Sequence, residues 1–149
     1  MSDIVERVTF PEPPDVVWLA LTSPELVSEW LMPVTGYEPA VGCHFTLRAP
    51  RMPGWDGVIH CEVLVAVPTQ QLAWSWRGSN MRAPTRVTFT LERAGNGTML
   101  TLEHTGFGGL GGFILSRMHR AGWAGKFLRR QLPRILSRLA AHTPNPVRT

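Results

Sequence analysis

The chain has 149 residues, of which 44% are hydrophobic and 17% are charged, and this composition predicts one folded domain rather than a disordered chain. The formal net charge is +4, and no apolar run approaches the ~18 residues that a membrane-spanning helix requires. Residues 1–7 are charged and lack the apolar core of a secretory signal, so we expect a soluble, cytoplasmic protein.

The first part of the chain predicts one strand followed by two short helices. Ile4 to Phe10 is interpreted as a strand, and a proline-rich segment ends it. Asp15 to Leu21 has the pattern of a short helix. Ser23 is a suitable N-cap and Pro24 a suitable first-turn residue for a second helix over Glu25 to Trp30.

From Gly42 onward the hydrophobic period changes from 3.6 to 2, and this change predicts about five further strands. The alternating segments are Cys43–Leu47, Ile59–Val67, Leu72–Trp76, Val87–Leu91 and Leu100–Leu102. In the second segment we expect one face to carry Ile59, Cys61, Val63, Val65 and Val67. Residues 50–57 form a loop rich in proline and glycine, and Gly95-Asn96-Gly97 is a strong hairpin signal.

The segment from Phe113 to Ala141 predicts one long helix after a glycine-rich connection over residues 106–112. At 100° per residue, one apolar stripe contains Ile114, Met118, Ala121, Gly125, Leu128, Leu132, Leu136 and Leu139. The opposite face is cationic and contains Arg120, Lys126, Arg130, Arg134 and Arg138. Pro133 predicts a kink or a break within this helix.

The order strand, helix, helix, strands, helix predicts an α+β fold. Each strand has one apolar face, and only the last helix is long enough to cover these faces. We therefore expect a curved antiparallel sheet of about six strands around a long C-terminal helix, with two short helices after the first strand. Residues 1–149 form a single domain in this interpretation, and residues 143–149 form a flexible tail.

The small residues of the helix stripe predict a cavity between helix and sheet. Ala121 and Gly125 are too small to fill the space that faces them, and aromatic residues of the sheet provide a wall. The candidate ligand-binding residues are Phe45, Ile59, Cys61, Trp74, Trp76, Phe89, Leu102, His104, Met118, Ala121 and Gly125. The alternative is a filled core in which small helix residues interdigitate with large sheet residues.

His104 is the histidine with a candidate function. It has the same parity as Leu100 and Leu102, so continued alternation places it on the inner face, near the mouth of the cavity. There it would orient the polar end of a ligand or act as an acid or base. The alternative is a structural histidine at a strand end.

The motifs predict neither a cofactor nor a metal ion. Residues 106–111 fit G-x-G-x-x-G, but no strand follows the helix and no acidic residue lies downstream, so a dinucleotide site is not expected. The five histidines have no metal-ligand spacing. Cys43 and Cys61 are interpreted as free thiols that pack as small hydrophobes, because disulfides are rare in the cytosol.

Charge is distributed unevenly along the chain. Residues 104–149 contain eight Lys and Arg and no acid, whereas residues 1–103 contain seven cations and eleven acids, a balance of −4. A basic segment raises the question of nucleic-acid binding. No base-reading motif accompanies it, so we interpret the cations as the solvated side of an amphipathic helix and predict no nucleic-acid partner. A protein partner with an acidic surface is an alternative for this helix.

Many spaced residues resemble one known family. They include Val17-Trp18, Ala20-Leu21-Thr22 with Pro24-Glu25, Trp30-Leu31 with Pro33, Gly42 with Phe45, Gly57, Val67-Pro68, Leu72 with Trp74-Ser75-Trp76, Val87 to Glu92, Gly97-Thr98, Leu100 to Leu102, His104 with Gly106-Phe107, and Gly122-Trp123. From Val5 to about Leu139 the chain resembles the activator of Hsp90 ATPase homologue 1-like family, a branch of the START-like (SRPBCC, Bet v 1-like) superfamily.

The resemblance implies a helix-grip fold and a role in binding rather than catalysis. Members of the superfamily hold lipids, sterols, polyketides or hormones between sheet and helix, and a few are cyclases. We therefore expect a small hydrophobic or amphipathic ligand, with two alternatives: a co-chaperone-like interaction protein of the Hsp90 ATPase activator type, and a polyketide cyclase-type enzyme that uses the same pocket. The co-chaperones carry an additional N-terminal domain to which nothing in these residues corresponds.

Overall fold

The computed structural model of the protein describes residues 3–79 and 81–142. Its strands are β1 (Ile4–Phe10), β2 (Val34–Thr35), β3 (His44–Arg48), β4 (Val58–Val67), β5 (Gln71–Gly78), β6 (Thr85–Ala94) and β7 (Gly97–Thr105). Two short helices are α1 (Pro14–Thr22) and α2 (Pro24–Trp30). The long helix has three consecutive parts: α3 (Gly109–Ala121), a π-helical segment (Gly122–Gln131) and α4 (Leu132–His142).

The strands form one antiparallel sheet with the order β1-β7-β6-β5-β4-β3-β2. The α+β helix-grip fold predicted from the sequence is confirmed: a curved sheet, two short helices after β1 and a long C-terminal helix. The seventh strand is β2, which was not predicted because two residues are too few to display alternation. Residues 143–149, predicted to be a flexible tail, lie outside the described residues.

The two short helices cover one end of the inner sheet face. Ser23 caps α2 as predicted, since its Oγ accepts a hydrogen bond from the Leu26 N–H at 3.4 Å. The Trp30 indole donates to the Ala20 carbonyl at 2.8 Å, and the Tyr37 hydroxyl donates to the Leu21 carbonyl, also at 2.8 Å. These bonds hold two large rings over the sheet with their polar atoms satisfied.

Beneath those rings the core is filled by aromatic contacts. The Phe45 and Trp74 ring centroids are 5.2 Å apart, and those of Trp74 and Phe89 are 5.1 Å apart. Tyr37 lies 5.5 Å from Trp74, and Trp30 lies 6.4 Å from Phe89. At this end of the sheet the alternative of a filled core is therefore the correct one.

One predicted strand face is wrong over part of its length. The register of β4 against β5 shifts between Val63 and Val65, where a β-bulge inserts one extra residue. Ile59, Cys61 and Val63 are buried as expected, but Val67 is 44% exposed. Alternation carried through a bulge assigns every later residue to the opposite face.

The long helix differs from its prediction in two ways. It begins at Gly109 rather than Phe113, and ten of its residues are π-helical. The Leu132 N–H donates to the Phe127 carbonyl five residues earlier, and the next residue, Pro133, has no N–H to donate. The helix continues through the proline without a break in helical structure. Among the described residues, no helix combines the length and apolar character required to cross a bilayer.

The π-helical segment changes which residues of the predicted stripe face the sheet. Leu128, Leu132 and Leu136 are buried as expected. The preceding buried residue is Trp123, five positions before Leu128 rather than three or four. Ala121 and Gly125, assigned to the buried stripe at a constant 100° per residue, are exposed, and a Cβ at Gly125 would have open space around it. The prediction that these two residues face the sheet is therefore wrong.

Candidate functional site

A cavity of about 440 Å³ lies at the end of the inner sheet face that the short helices leave uncovered. Its lining comes from β4, β5, the loops that follow α2 and β5, the loop over residues 49–57, α3 and the π-helical segment: Met32, Ala49, Met52, Pro53, Gly54, Trp55, Ile59, Trp76, Gly78, Met81, Leu115, Met118, His119, Gly122, Trp123 and Phe127. Among the described residues no Asp, Glu, Lys or Arg lines it. The cavity is thus an apolar space with one imidazole in its wall.

The loop over residues 49–57, hereafter the flap, forms one side of the cavity. Met52 and Trp55 exchange two backbone hydrogen bonds of 3.2 and 3.0 Å around Pro53-Gly54, and Gly54 has φ +83°. A proline followed by a glycine with positive φ is typical of a tight β-turn. At the flap base, the Ala49 N–H donates to the Gly57 carbonyl at 2.7 Å. The flap is therefore an ordered hairpin rather than a loose connection.

Methionine is concentrated in this cavity. Four of the six methionines of the chain line it, namely Met32, Met52, Met81 and Met118. Met81 is buried, whereas Met52 is 49% and Met118 is 55% exposed, so the latter two lie at the mouth. Methionine side chains are unbranched and polarizable, and they adapt to differently shaped apolar partners.

His104 lies behind the cavity wall in a continuous series of hydrogen bonds. The Trp123 indole N–H donates to Nδ1 of His104 at 3.1 Å, so in the neutral ring the proton is on Nε2. That Nε2–H donates to Oγ1 of Thr85 at 2.7 Å, and the Thr85 hydroxyl donates to the Trp76 carbonyl at 2.9 Å. The His104 side chain has no exposed surface. All its hydrogen-bonding capacity is used within the protein.

His119 makes the reciprocal connection from the helix to the sheet. The Trp76 indole N–H donates to Nε2 of His119 at 3.2 Å, and Nδ1–H of His119 donates to the Leu115 carbonyl at 2.8 Å. The Trp76 and Trp123 rings themselves are 5.4 Å apart. Two indole–imidazole hydrogen bonds therefore join helix and sheet at the cavity wall, one in each direction.

Both imidazoles are held in the neutral form. Burial lowers the pKa of His104 well below 6.5, and a charge on His119, whose ring centroid is 5.3 Å away, lowers this pKa further. Burial also lowers the pKa of His119, and the bond to the Leu115 carbonyl partly opposes that shift. Neutral rings are required here because a protonated nitrogen cannot accept from an indole.

Ten of the eleven predicted site residues fall into three groups in the structure. Ile59, Trp76 and Met118 line the cavity. Phe45, Cys61, Trp74, Phe89 and Leu102 are buried on the inner face but belong to the filled core. Ala121 and Gly125 are exposed, as described above. The hollow therefore lies under α3 and the start of the π-helical segment, not beneath those two small residues.

His104 was expected to face inward, and this orientation is confirmed by its burial. The expectation that it lies at the cavity mouth is wrong, because the rings of Trp76 and Trp123 separate it from the space. The free-thiol interpretation of Cys43 and Cys61 agrees with the structure, although Cys43 is only half-buried. Burial raises the pKa of the Cys61 thiol, which accordingly behaves as an apolar side chain.

The sequence reasoning missed several lining residues. Trp123 and Phe127 lie off a stripe drawn at 3.6 residues per turn, and only the π-helical geometry turns them inward. The flap was interpreted as an ordinary loop. One available signal was the dipeptide Pro53-Gly54 between Met52 and Trp55, since two large apolar residues flanking a tight turn indicate a hairpin that packs against something.

Comparisons with known proteins agree with this architecture. A family model described as activator of Hsp90 ATPase homolog 1-like protein matches residues 11–137. The chain belongs to this family. None of the curated proteins searched is similar to it.

Solved structures of related proteins share the fold. Protein MLL2253 from Mesorhizobium loti is 31% identical with a TM-score of 0.77, and the match covers 96% of this chain and 99% of that protein. DynU16, described as a putative protein in the dynemicin biosynthetic locus, is 25% identical with a TM-score of 0.76, and the match covers 92% of this chain but 48% of DynU16. The Aha1 dimer from Colwellia psychrerythraea is 22% identical with a TM-score of 0.71, over 88% of this chain and 94% of that one.

Proposed function

We propose that this member of the family is a binding protein that holds a small hydrophobic molecule in the cavity between flap, sheet and helix. The observation that carries the proposal is a cavity of about 440 Å³ with an apolar lining. That volume lies within the ~300–1,000 Å³ range of small-molecule sites. Binding would come from the removal of ligand and cavity surface from water, at about 25 cal/mol per Å² before the costs of association.

An enzyme of the polyketide cyclase type has less support. The likeness to DynU16, from a biosynthetic locus, favours this alternative. General acid–base catalysis, however, needs a titratable group within hydrogen-bond reach of the substrate. His119 is the titratable residue in the described lining, and both its nitrogens are already engaged, by Trp76 and by the Leu115 carbonyl.

The exposed cations of the long helix support a second candidate function, the docking of an acidic protein surface. Arg138 of the cationic face forms an ion pair with Glu29 at 2.7 Å, and Arg129 of the same helix forms one with Glu6 at 2.8 Å, so some cations of the helix are used within the domain. Arg130 and Arg134 are exposed on the same helix. This function predicts a salt-sensitive interaction that is lost in the R130E/R134E variant and retained when the cavity is filled.

A matched pair of tryptophan substitutions tests the leading proposal. Leu115→Trp places a large ring in the cavity lining, whereas Ala121→Trp places the same ring on the exposed side of α3. Uptake of the neutral fluorophore N-phenyl-1-naphthylamine is measured by its emission. We expect binding at least about tenfold weaker, a change of about 1.4 kcal/mol, in Leu115→Trp and unchanged binding in Ala121→Trp.

Two results would overturn the proposal. Equal affinity in the two variants, or no uptake by the unmodified protein, would show that the cavity does not bind such molecules. Weakening by Ala121→Trp alone would favour the site first expected from the sequence. Native mass spectrometry of protein purified from its own host then identifies any co-purified molecule by its mass.

A further inference from the structure

The cavity wall contains no group that can compensate a buried charge. Its described lining includes no Lys or Arg to pair with a carboxylate or phosphate and no Asp or Glu to pair with an amine. The imidazole of His119 is neutral and fully bonded. A charged group inside such a space loses its hydration without gaining a partner, which is strongly unfavourable.

The polar side-chain nitrogens of the wall already form hydrogen bonds within the protein. The indole N–H groups of Trp76 and Trp123 bond to His119 and His104. The indole N–H of Trp55 donates to the Val58 carbonyl at 3.3 Å. A ligand hydroxyl or amide inside the cavity would therefore have to displace an internal bond to be recognised by these side chains. Sugars, nucleotides and peptides fit this wall poorly for that reason.

What the wall does offer is ring faces and sulfur atoms. Trp55, Trp76, Trp123 and Phe127 contribute aromatic rings, and four methionines contribute thioethers. Both kinds of group make favourable contacts with aromatic rings, through offset or edge-to-face stacking and through sulfur–ring contacts. A volume of about 440 Å³ lies in the lower part of the ~300–1,000 Å³ range of small-molecule sites, which suits a compact ligand of a few fused rings.

We infer that the natural occupant of this cavity is an uncharged aromatic compound of a few fused rings, bound by surface contact without a side-chain hydrogen bond. This inference rests on the proposed binding function and narrows it to one ligand class. It separates this site from one that holds fatty acids or other amphipathic anions, for which a cation in the wall would be needed.

Two anthracene derivatives of nearly equal size test the absence of charge. Anthracene-9-methanol is neutral and anthracene-9-carboxylate is anionic at about pH 7.5, where both histidines are neutral. Binding is followed by energy transfer from tryptophan to anthracene, because Trp76 and Trp123 border the cavity. We expect the alcohol to bind and the carboxylate to bind at least about tenfold more weakly.

An Arg51→Gln variant accompanies this measurement, because Arg51 is exposed in the flap next to Met52 and is a cation available near the mouth. The neutral compound should bind the variant and the unmodified protein equally. Dodecanol serves as the uncharged but non-aromatic competitor, and we expect it to displace the anthracene alcohol only at a concentration at least about tenfold higher.

The outcomes separate this inference from the proposed function. Equal affinity for the carboxylate, with or without Arg51, would refute the inference of an uncharged ligand while leaving hydrophobic binding in place. Displacement by dodecanol as efficient as self-displacement would refute the aromatic part. Failure of every compound to bind the unmodified protein, or equal binding to Leu115→Trp, would refute the proposed function and this inference together.

Discussion

Acidification should destabilise this protein through the two histidines at the cavity wall. In the folded protein the pKa values of His104 and His119 lie below 6.5, whereas the unfolded chain restores the ordinary value of about 6.5. Above about pH 7.5 both rings are almost entirely neutral in both states, so they add no pH dependence there. As the pH falls from about 7.5 toward the lowered folded values, the unfolded chain takes up protons that the folded protein does not, and the free energy of unfolding decreases.

The size of the effect follows from this proton uptake. Between about pH 7.5 and 5.5, one histidine that stays neutral in the folded state lowers the free energy of unfolding by about 1.4 kcal/mol. His104, which has no exposed surface, should contribute up to this amount. With His119 the loss reaches up to about 2.7 kcal/mol, a large part of the ~5–15 kcal/mol of a typical domain.

Urea unfolding at a series of pH values measures this loss, and the His119→Gln variant separates the contribution of His119 from that of His104. The glutamine amide oxygen can still accept from the Trp76 indole but does not titrate, so the pH dependence should fall by up to half. Met118→Gln introduces the same side chain at the adjacent exposed position and should retain the full dependence. Stability that is constant from about pH 7.5 to 5.5, or an unchanged slope in His119→Gln, would refute the reasoning.

Two further predictions concern the flap and the wall. Gly54 and Gly57 both have φ +83°, but a Cβ at Gly57 would overlap the Ala49 carbonyl oxygen, whereas one at Gly54 would meet open space. Gly57→Ala should therefore be about 1–3 kcal/mol less stable than Gly54→Ala in thermal or urea unfolding. Equal unfolding midpoints of the two variants would contradict this. Trp123→Phe leaves Nδ1 of His104 without its donor and should cost at least about 1–3 kcal/mol at neutral pH, and a change within experimental error would show that this hydrogen bond contributes nothing.

Local patterns in the sequence were sufficient for most of the secondary structure. Alternation identified β3 to β7, because large apolar side chains recur at every second position over much of each strand. Ser23-Pro24 identified the start of α2 because capping depends on the adjacent residues alone. Gly95-Asn96-Gly97 identified the turn between β6 and β7, where Ala94 pairs with Gly97 and Gly95 has φ +62°.

The candidate site was harder to predict because small local irregularities decide which face a residue occupies. One extra residue in β4 reverses the faces after Val63, and the π-helical turns move Trp123 inward and Gly125 outward. A prediction made with a constant hydrophobic period does not contain such irregularities. His104 was placed correctly because no irregularity lies between it and Leu102 in β7.

The sequence alone determined the family, the helix-grip order of elements and the apolar character of the inner face, because these depend on composition, period and short-range turn chemistry. Only the tertiary structure decided where the hollow lies. Rings from distant segments, Trp30 and Tyr37, fill one end of the sheet, and the flap and α3 leave the other end open. The unfilled volume depends on how large side chains from separate elements share one space, and no single segment contains that information.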